Sequence, residues 1–445
     1  MELKNNKKVQ KAWTFYDWAN SVYPLVITTA IFPIFFEGYA FHEIIDGKKY
    51  IHFFGFKFIN TALITILSSS YFLLLVMILP ILTGIADSLG NKRAFLRFFC
   101  YMGSFCCVML SFFNIDLIEI SLLTYILAGI GFWSSLVFYN AFLPEIADEK
   151  DHDQLSAKGF SMGYFGSVLL LIICLSIIFL TPEAHRNFYT RICFAITGLW
   201  WFGFSHVTLS KLPRGKKFKI QDKSTYSKGL KELKKVWSYV VLTRRLKRFI
   251  FSFFVYSMAI QTIMLVAVYF GAEEINWGDG EEGAIQAKLG LIVSVLLIQL
   301  IAIPGAHLIS KISQTKGNLF AIKTSVILWI LLCFVAYVVT EPLEFYCVAG
   351  FVGLVMGGSQ SISRSTYSKF IPQDTHDTSS FFSFYDVAEK LGIVIGMFSF
   401  GFIHQITGSM RNSVLALITF FVVSLIMLFG AVSYTHLTLP TILLV

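Results

Sequence analysis

The sequence predicts an all-α membrane protein of twelve transmembrane helices in two pseudo-symmetric six-helix halves. Three observations carry this. Apolar runs of roughly 20 residues, each long enough to cross a ~30 Å hydrocarbon core, recur along all 445 residues. Charged residues make up 14% of the chain against 56% hydrophobic ones, with a mean hydropathy of +0.69, whereas soluble domains carry about 25% charge. One short motif also returns: Tyr139-Asn140-Ala141-Phe142-Leu143-Pro144 and Tyr367-Ser368-Lys369-Phe370-Ile371-Pro372 both read Tyr-x-x-Phe-(Leu/Ile)-Pro. They close the fourth and tenth spans, the matching places of a six-plus-six duplication.

The first span runs from about Trp13 to Phe36. Lys4, Lys7, Lys8 and Lys11 precede it, but it is too long for a signal peptide's apolar region and no small-residue cleavage site follows. Asp17 and Asn20 inside it also argue against a cleaved leader, and Pro24 is placed to kink it. The remaining spans fall near 59–83, 93–112, 117–139, 159–180, 191–210, 249–270, 288–309, 319–340, 345–368, 381–403 and 413–431. An even number of spans puts both termini on one side. About 28 of the 36 Lys and Arg fall on that side, so it is expected to be cytosolic. The other side carries the acidic loop Glu273, Glu274, Asp279, Glu281 and Glu282. Short loops and the absence of organellar signals point to a prokaryotic plasma membrane.

The expected organisation is an N-terminal half over 1–210, a basic cytosolic linker over 211–248, a C-terminal half over 249–431, and a foreign tail over 432–445. In the linker, Leu230, Leu233, Val236, Trp237, Val240 and Val241 recur at helical spacing beside Lys228, Lys231, Lys234 and Lys235. That pattern suits an amphipathic helix on the inner membrane surface; a solvated basic linker is the alternative. The net charge of +9 sits in short loops, where it orients the chain and meets anionic lipid headgroups, and no nucleic-acid partner is expected. Cys100, Cys106, Cys107, Cys174, Cys193, Cys333 and Cys347 lie in or beside apolar runs without CxxC or metal spacing, so no redox role, metal or cofactor is expected. A monomer is expected.

Between the second and third spans the chain reads Gly84-Ile85-Ala86-Asp87-Ser88-Leu89-Gly90-Asn91-Lys92-Arg93. The glycines allow a tight turn, Asp87 is placed to meet helix-end donors or a cation across the seam, and Lys92 and Arg93 hold the cytosolic side. The spacing resembles the signature loop of the major facilitator superfamily, which implies a gating role for Gly84, Asp87, Gly90, Lys92 and Arg93. The matching stretch Gly305–Asn318 keeps Gly305, Lys311 and Lys316 but has no acid.

Several further stretches occur in a telling order: Phe15-Tyr16-Asp17-Trp18-Ala19-Asn20-Ser21, Thr28-Thr29-Ala30-Ile31-Phe32-Pro33, Asn140–Ile146, Gln261-Thr262-Ile263 and Gly357–Arg364. Together they resemble the vacuolar-effluxer-like branch of that superfamily, which includes autophagy-related amino-acid effluxers and bacterial permeases. The resemblance implies a twelve-helix transport fold and, more loosely, export of an amino acid or related metabolite. Members often carry an acid before the Gln-Thr-Ile stretch. Here Tyr256-Ser257-Met258-Ala259 precedes Gln261, so that acid's role does not carry over.

Intramembrane charge is the main clue from the residues themselves. A charged group at a helix centre costs about 2.5–3.5 kcal/mol on the insertion scale, so it should face a partner or cavity. Asp386, Glu389 and Lys390 share the eleventh span, with Asp386 and Lys390 at the acid-first i,i+4 spacing. The trio nets one negative charge, suited to proton coupling; a fixed ion network is the alternative. Asp17 lies about one turn inside the first span beside Asn20, and both join the trio as translocation candidates; an interfacial, merely hydrated Asp17 is the alternative. Gln261, Gln360 and Arg364 are cavity-lining candidates, with Arg364 expected to pair with Asp386 or Glu389 or to snorkel. Gly350, Gly353, Gly357 and Gly358 beside them permit close helix packing.

These readings favour a secondary transporter for a small solute over a non-translocating receptor or scaffold. The residues form no nucleophile, metal or acid–base set, so no enzyme is expected. Val432-Ser433-Tyr434-Thr435-His436-Leu437-Thr438-Leu439-Pro440-Thr441 matches the translation of a transposase-type sequencing adapter. Resequencing the locus is expected to show a different native end; a genomic frame encoding this tail refutes the reading.

Overall fold

The computed structural model describes residues 4–45, 48–213, 224–373 and 375–432. The tail at 433–445 lies outside the described residues, as do 214–223 of the linker and the side chains of Lys228 and Leu230. Among the described residues, twelve helices are long and apolar enough to cross a membrane. The N-terminal half comprises α1 (Lys7–Tyr39), α2 (Asn60–Leu89), α3 (Lys92–Phe112), α4 (Ile115–Ile146), α5 (Glu149–Leu180) and α6 (Glu183–Lys211). The linker helix α7 (Ser224–Leu242) follows. The C-terminal half comprises α8 (Arg244–Glu274), α9 (Gly280–Lys316), α10 (Asn318–Val338), α11 (Pro342–Lys369), α12 (Thr378–Thr407) and α13 (Met410–Phe429).

Several helices outrun their apolar stretches. α5 begins ten residues before the expected span, and α9 extends by about a turn or two at each end, because polar turns continue the helical hydrogen bonding beyond the hydrocarbon core. α8 likewise starts at Arg244, inside the expected linker. In α1, Pro24 cannot donate a backbone hydrogen bond, and Tyr23–Ala30 is wound as a π-helix, with Ile31 N–H bonded to the Val26 carbonyl five residues back.

One element has no counterpart among the expectations. Between α1 and α2 the chain folds into an antiparallel meander of β1 (Glu43–Ile45), β2 (Lys48–Phe53) and β3 (Phe56–Ile59), in that spatial order. The β2–β3 turn uses two positive-φ residues, Phe54 and Gly55. Phe54 N–H is anchored on Glu119 at the start of α4, which ties the meander to the N-terminal half.

α7 lies against both halves. It packs on α2 and α12, burying Val236 and Val240. Trp237 and Tyr239 reach the Phe384 and Phe381 rings at 5.4 and 5.5 Å, and Lys235 pairs with Asp377 at 3.0 Å. Trp237 and Leu242 stay exposed, so the apolar residues divide between protein and surroundings.

The halves meet along α2 and α12, α4 and α12, α5 and α9, and α5 and α11. Within the C-terminal half, α9 and α11 approach closely through glycines. A Cβ at Gly353 would strike the Ile298 backbone, and one at Gly357 the Ala302 carbonyl. This is the small-residue packing that replaces the hydrophobic effect between helices in lipid. Gly353→Val or Gly357→Val is therefore expected to lower stability by about 1–3 kcal/mol, read as a drop in unfolding temperature in detergent. Gly203→Ala, with nothing within 4 Å of the added carbon, is the matched control and should not lower it.

Candidate functional site

Arg364, on the tenth span, is 3% exposed and sits where the halves meet. Its five N–H groups all find acceptors. Nε donates to Ser156 Oγ at 2.9 Å, Nη1 to Asp17 Oδ2 at 3.2 Å and Asn140 Oδ1 at 3.3 Å, and Nη2 to Asp17 Oδ2 at 3.2 Å and the Ser156 carbonyl at 2.9 Å. Every acceptor belongs to the N-terminal half. The guanidinium is also walled by aromatic rings, with centroids 4.1 Å away for Phe160 and 5.0 Å for Trp13. Tyr139 O–H donates to the same Asp17 oxygen at 2.9 Å.

This corrects one expectation. Arg364 pairs with neither Asp386 nor Glu389 and does not snorkel, because Asp17 is the nearer acid once the halves pack. Asp17, for which mere hydration was the alternative, is 4% exposed. Gly159 on α5 makes room for the pair, since a Cβ there would collide with Asp17 Oδ2 and Arg364 Nη2. Asn20 is also buried, but its Oδ1 accepts from Ser21 Oγ at 3.4 Å and its Nδ2 has no partner among the described residues. It stands apart from the Asp17–Arg364 pair.

Toward the amino-terminal face the seam continues. Asp87 accepts from the backbone N–H groups of Ser379 at 3.3 Å and Ser380 at 2.6 Å, the first turn of α12, where no side chain of the helix's own cap supplies an acceptor. A carboxylate there meets orphan donors and the positive end of the helix dipole. Gly84 is buried at the end of α2, and Gly90 adopts φ +60° to end that helix, a conformation glycine takes without strain. Lys92 bonds Glu145 and Thr378, and Arg93 holds the Leu212 carbonyl at 3.0 Å. Just outside the spans, the Asn5 amide and Lys4 keep the Asp148 carboxyl below the usual carboxylate range.

Sequence reasoning missed the other acidic contact. Asp153 on α5 accepts from Ser313, Asn318 and Lys369, each at 2.8 Å. The second copy of the signature loop lacks an acid, and here the opposite half supplies one to it. His152 beside it meets Ser368 at 2.7 Å, and Gln373 donates to Glu149 at 2.8 Å. The acidic run at the start of α5 was the available signal. Among the described residues, the hydrogen bonds joining the halves lie from this face inward to Tyr164, which donates to Gln360 at 2.7 Å. On the other face Glu273–His404 and Glu274–Arg411 stay within the C-terminal half.

A second charged cluster lies deeper along α12. Lys390 Nζ meets Asp386 Oδ1 at 2.6 Å and Glu389 Oε2 at 2.8 Å, and Gln261 Nε2 donates to Glu389 Oε1 at 2.8 Å. Trp133, from α4 of the other half, covers Lys390 with its ring centroid 3.7 Å away. So Asp386, Glu389, Lys390 and Gln261 come together, while Gln360 and Arg364 face α5. Among the described residues, no group of three His, Cys, Asp or Glu is placed to hold a metal ion.

Twelve helices in two halves, joined by a carboxylate loop on a helix terminus, define a transporter of the major facilitator class. The chain belongs to the family described as vacuole effluxer Atg22 like, whose model matches residues 5–434. It is 28% identical over 430 residues to the uncharacterized MFS-type transporter YxiO of Bacillus subtilis, covering 96% of this chain and 95% of that one. Autophagy-related protein 22 of Kluyveromyces lactis is 24% identical over 465 residues, covering 94% and 92%. Solved structures share the fold: the double-Trp XylE mutant has a TM-score of 0.70 at 12% identity over 95% of each chain. The E. coli fucose:proton symporter FucP has 0.65 at 16%, over 95% and 97%.

Arg364→Ala strands the buried Asp17 carboxylate and is expected to cost about 3–5 kcal/mol, read by thermal unfolding of the purified protein. Arg364→Lys keeps the charge but not the planar fork, so it should fall between parent and Ala. The double variant Asp17→Asn, Arg364→Gln should recover most of the loss.

Proposed function

We propose that this chain is a secondary active transporter that moves a small solute by alternating access, with its amino-terminal face in the cytosol of a prokaryotic cell. The single observation that supports this best is the one-sided seam. Polar contacts between the halves gather toward one face, and among the described residues no hydrogen bond joins the halves at the other. A pair of halves rocking about a midplane site passes through such a state. Asp87, Gly84, Gly90, Lys92 and Arg93 act as the gate on that face, and Arg364 with Asp17 is its inner lock.

The Asp386–Glu389–Lys390 cluster, with Gln261, is the coupling site. Three charges net one negative, and Trp133 brings the other half against them. Titration of the surplus carboxylate would link a proton gradient to solute movement. The solute is an amino acid or a related metabolite, moved outward, in keeping with the effluxer description of the family.

The experiment uses the purified protein in proteoliposomes with a radiolabelled mixture of the standard amino acids. The parent should show counterflow and pH-gradient-driven accumulation. Asp386→Asn, Glu389→Gln should keep counterflow, since exchange moves no net proton, and lose accumulation. Normal accumulation by a stably folded double variant rules out coupling through α12. Saturable binding without counterflow in the parent would instead favour a receptor or scaffold.

A further inference from the structure

Helix α12 carries a second polar feature besides its charges. Ser379, Ser383, Asp386 and Lys390 recur at i, i+4, i+7 and i+11, so they line one helical face. Both ends of that face touch the opposite half. Asp87 of α2 holds the Ser379 and Ser380 N–H groups, and Trp133 of α4 covers Lys390. Between these ends α12 packs on α2 and α4, and Ser379, Ser380 and Ser383 are wholly buried.

Three polar atoms here are left over. Ser379 Oγ, Ser380 Oγ and Asp386 Oδ2 are out of contact with solvent and have no hydrogen-bond partner among the described residues. The two hydroxyls stand close enough to the Asp87 carboxylate to interact with it, though without full hydrogen-bond geometry to any group. Ser383 lies between them and Asp386; it donates to the Ser380 carbonyl at 2.7 Å, and its oxygen remains able to accept. An unpartnered buried polar group is costly to keep. Three on one seam, bracketing a fourth hydroxyl, fit a strip that holds water.

We propose that this strip is a proton path joining Asp87 to the central carboxylate of Asp386 while the halves are closed at the amino-terminal face. It rests on the reading of Asp386 and Glu389 as the coupling site and adds the route by which the proton arrives. Side chains one turn apart lie ~5–6 Å from each other, the distance one water spans by accepting from one oxygen and donating to the next at ~2.8 Å each. The rise from Ser379 to Asp386 is about 10 Å, so a few waters complete the file.

The transfer balances. A proton on Asp87 passes to the first hydroxyl or water; each oxygen along the file accepts one proton and releases another, and Asp386 Oδ2 takes the last. Only O–H bonds form and break, and each hydroxyl ends with one proton as it began. The charged and titratable groups around the file are Asp87, Lys92 and Glu145 at the outer end. Asp377 with Lys235 of α7 lies beside them, and Glu389, Lys390, Tyr385 and Tyr256 surround the inner end. Because Asp87 reaches the file only while it sits on α12, the path exists only in the closed state. In that state the proton communicates with the amino-terminal face while the solute is released to the other.

The test follows protonation itself, by infrared difference spectroscopy on the full chain in liposomes after a rapid pH step. The parent should show a carboxyl band that Asp386→Asn removes. Ser383→Thr and Ser383→Val are nearly the same size, but only Thr keeps the hydroxyl, so a packing defect affects both alike. The Thr variant should retain the fast phase of that band, and the Val variant should lose it. The same split is expected for Ser379→Thr and Ser379→Val. Equal kinetics in Thr and Val variants, fast or slow, overturns the path and leaves the coupling site standing. A parent spectrum without the Asp386 band overturns the coupling site, and the path with it.

Discussion

The closed seam depends on satisfying one buried guanidinium. Taking Arg364 out of water costs several kcal/mol, and that is recovered only with good geometry and no donor left over. Its five donors meet acceptors on three residues of the other half, Asp17, Asn140 and Ser156. None of these is available unless α1, α4 and α5 are docked against α11 at once, so the arginine reports the register of the whole interface. A buried pair also returns both charges to water when the halves part. Lock and release are then close in free energy, while the geometry of the locked state is tightly specified. The rocking proposed for the two halves requires that combination, and a deep hydrophobic interface would not supply it.

Around this lock, charge is divided by half. Asp17, Asp87, Glu149 and Asp153 of the N-terminal half all act as acceptors across the seam. The C-terminal half answers with Arg364, Lys369, Asn318, Gln373 and the first N–H groups of α12. Complementarity of this kind fixes register and disfavours misaligned closure more than it deepens binding. It also explains why the degraded loop copy before α10 is tolerated. The duplicated fold calls for an acid–donor contact at two symmetric places, and the second is met with the acid on α5 and the donors on the loop.

Much of this was legible from residue pattern alone. Span number follows from apolar run length, and the Asp386–Lys390 contact from i,i+4 spacing within one helix. Asp87 at a helix terminus follows from the loop's position after α2. Each depends on neighbours close in sequence or on a rule about helix ends. Arg364 with Asp17 was not legible, because the partners are 347 residues apart and only tertiary packing selects Asp17 over the two acids of α12. Asp153 was overlooked for a similar reason: it reads as an ordinary acid near the start of a helix until Lys369 and Asn318 arrive. The β-meander was missed because its strands are short and bear exposed lysines, so the loop looked merely polar between two dominant apolar runs.

α12 joins the two charged clusters mechanically. Its first turn is capped by Asp87 and flanked by the Lys235–Asp377 pair on the linker helix, and about 10 to 15 Å along the same rod lie Asp386 and Lys390. A helix transmits axial displacement and rotation with little loss, since each turn is fixed by its own hydrogen bonds. Moving the capped end therefore moves the central charges relative to Trp133 on the other half. Conversely, a change in charge at Asp386 or Glu389 alters how Lys390 is held against that ring. The capped turn and the central charges are thus two ends of one rigid element, and a difference in free energy at either end biases the position of both.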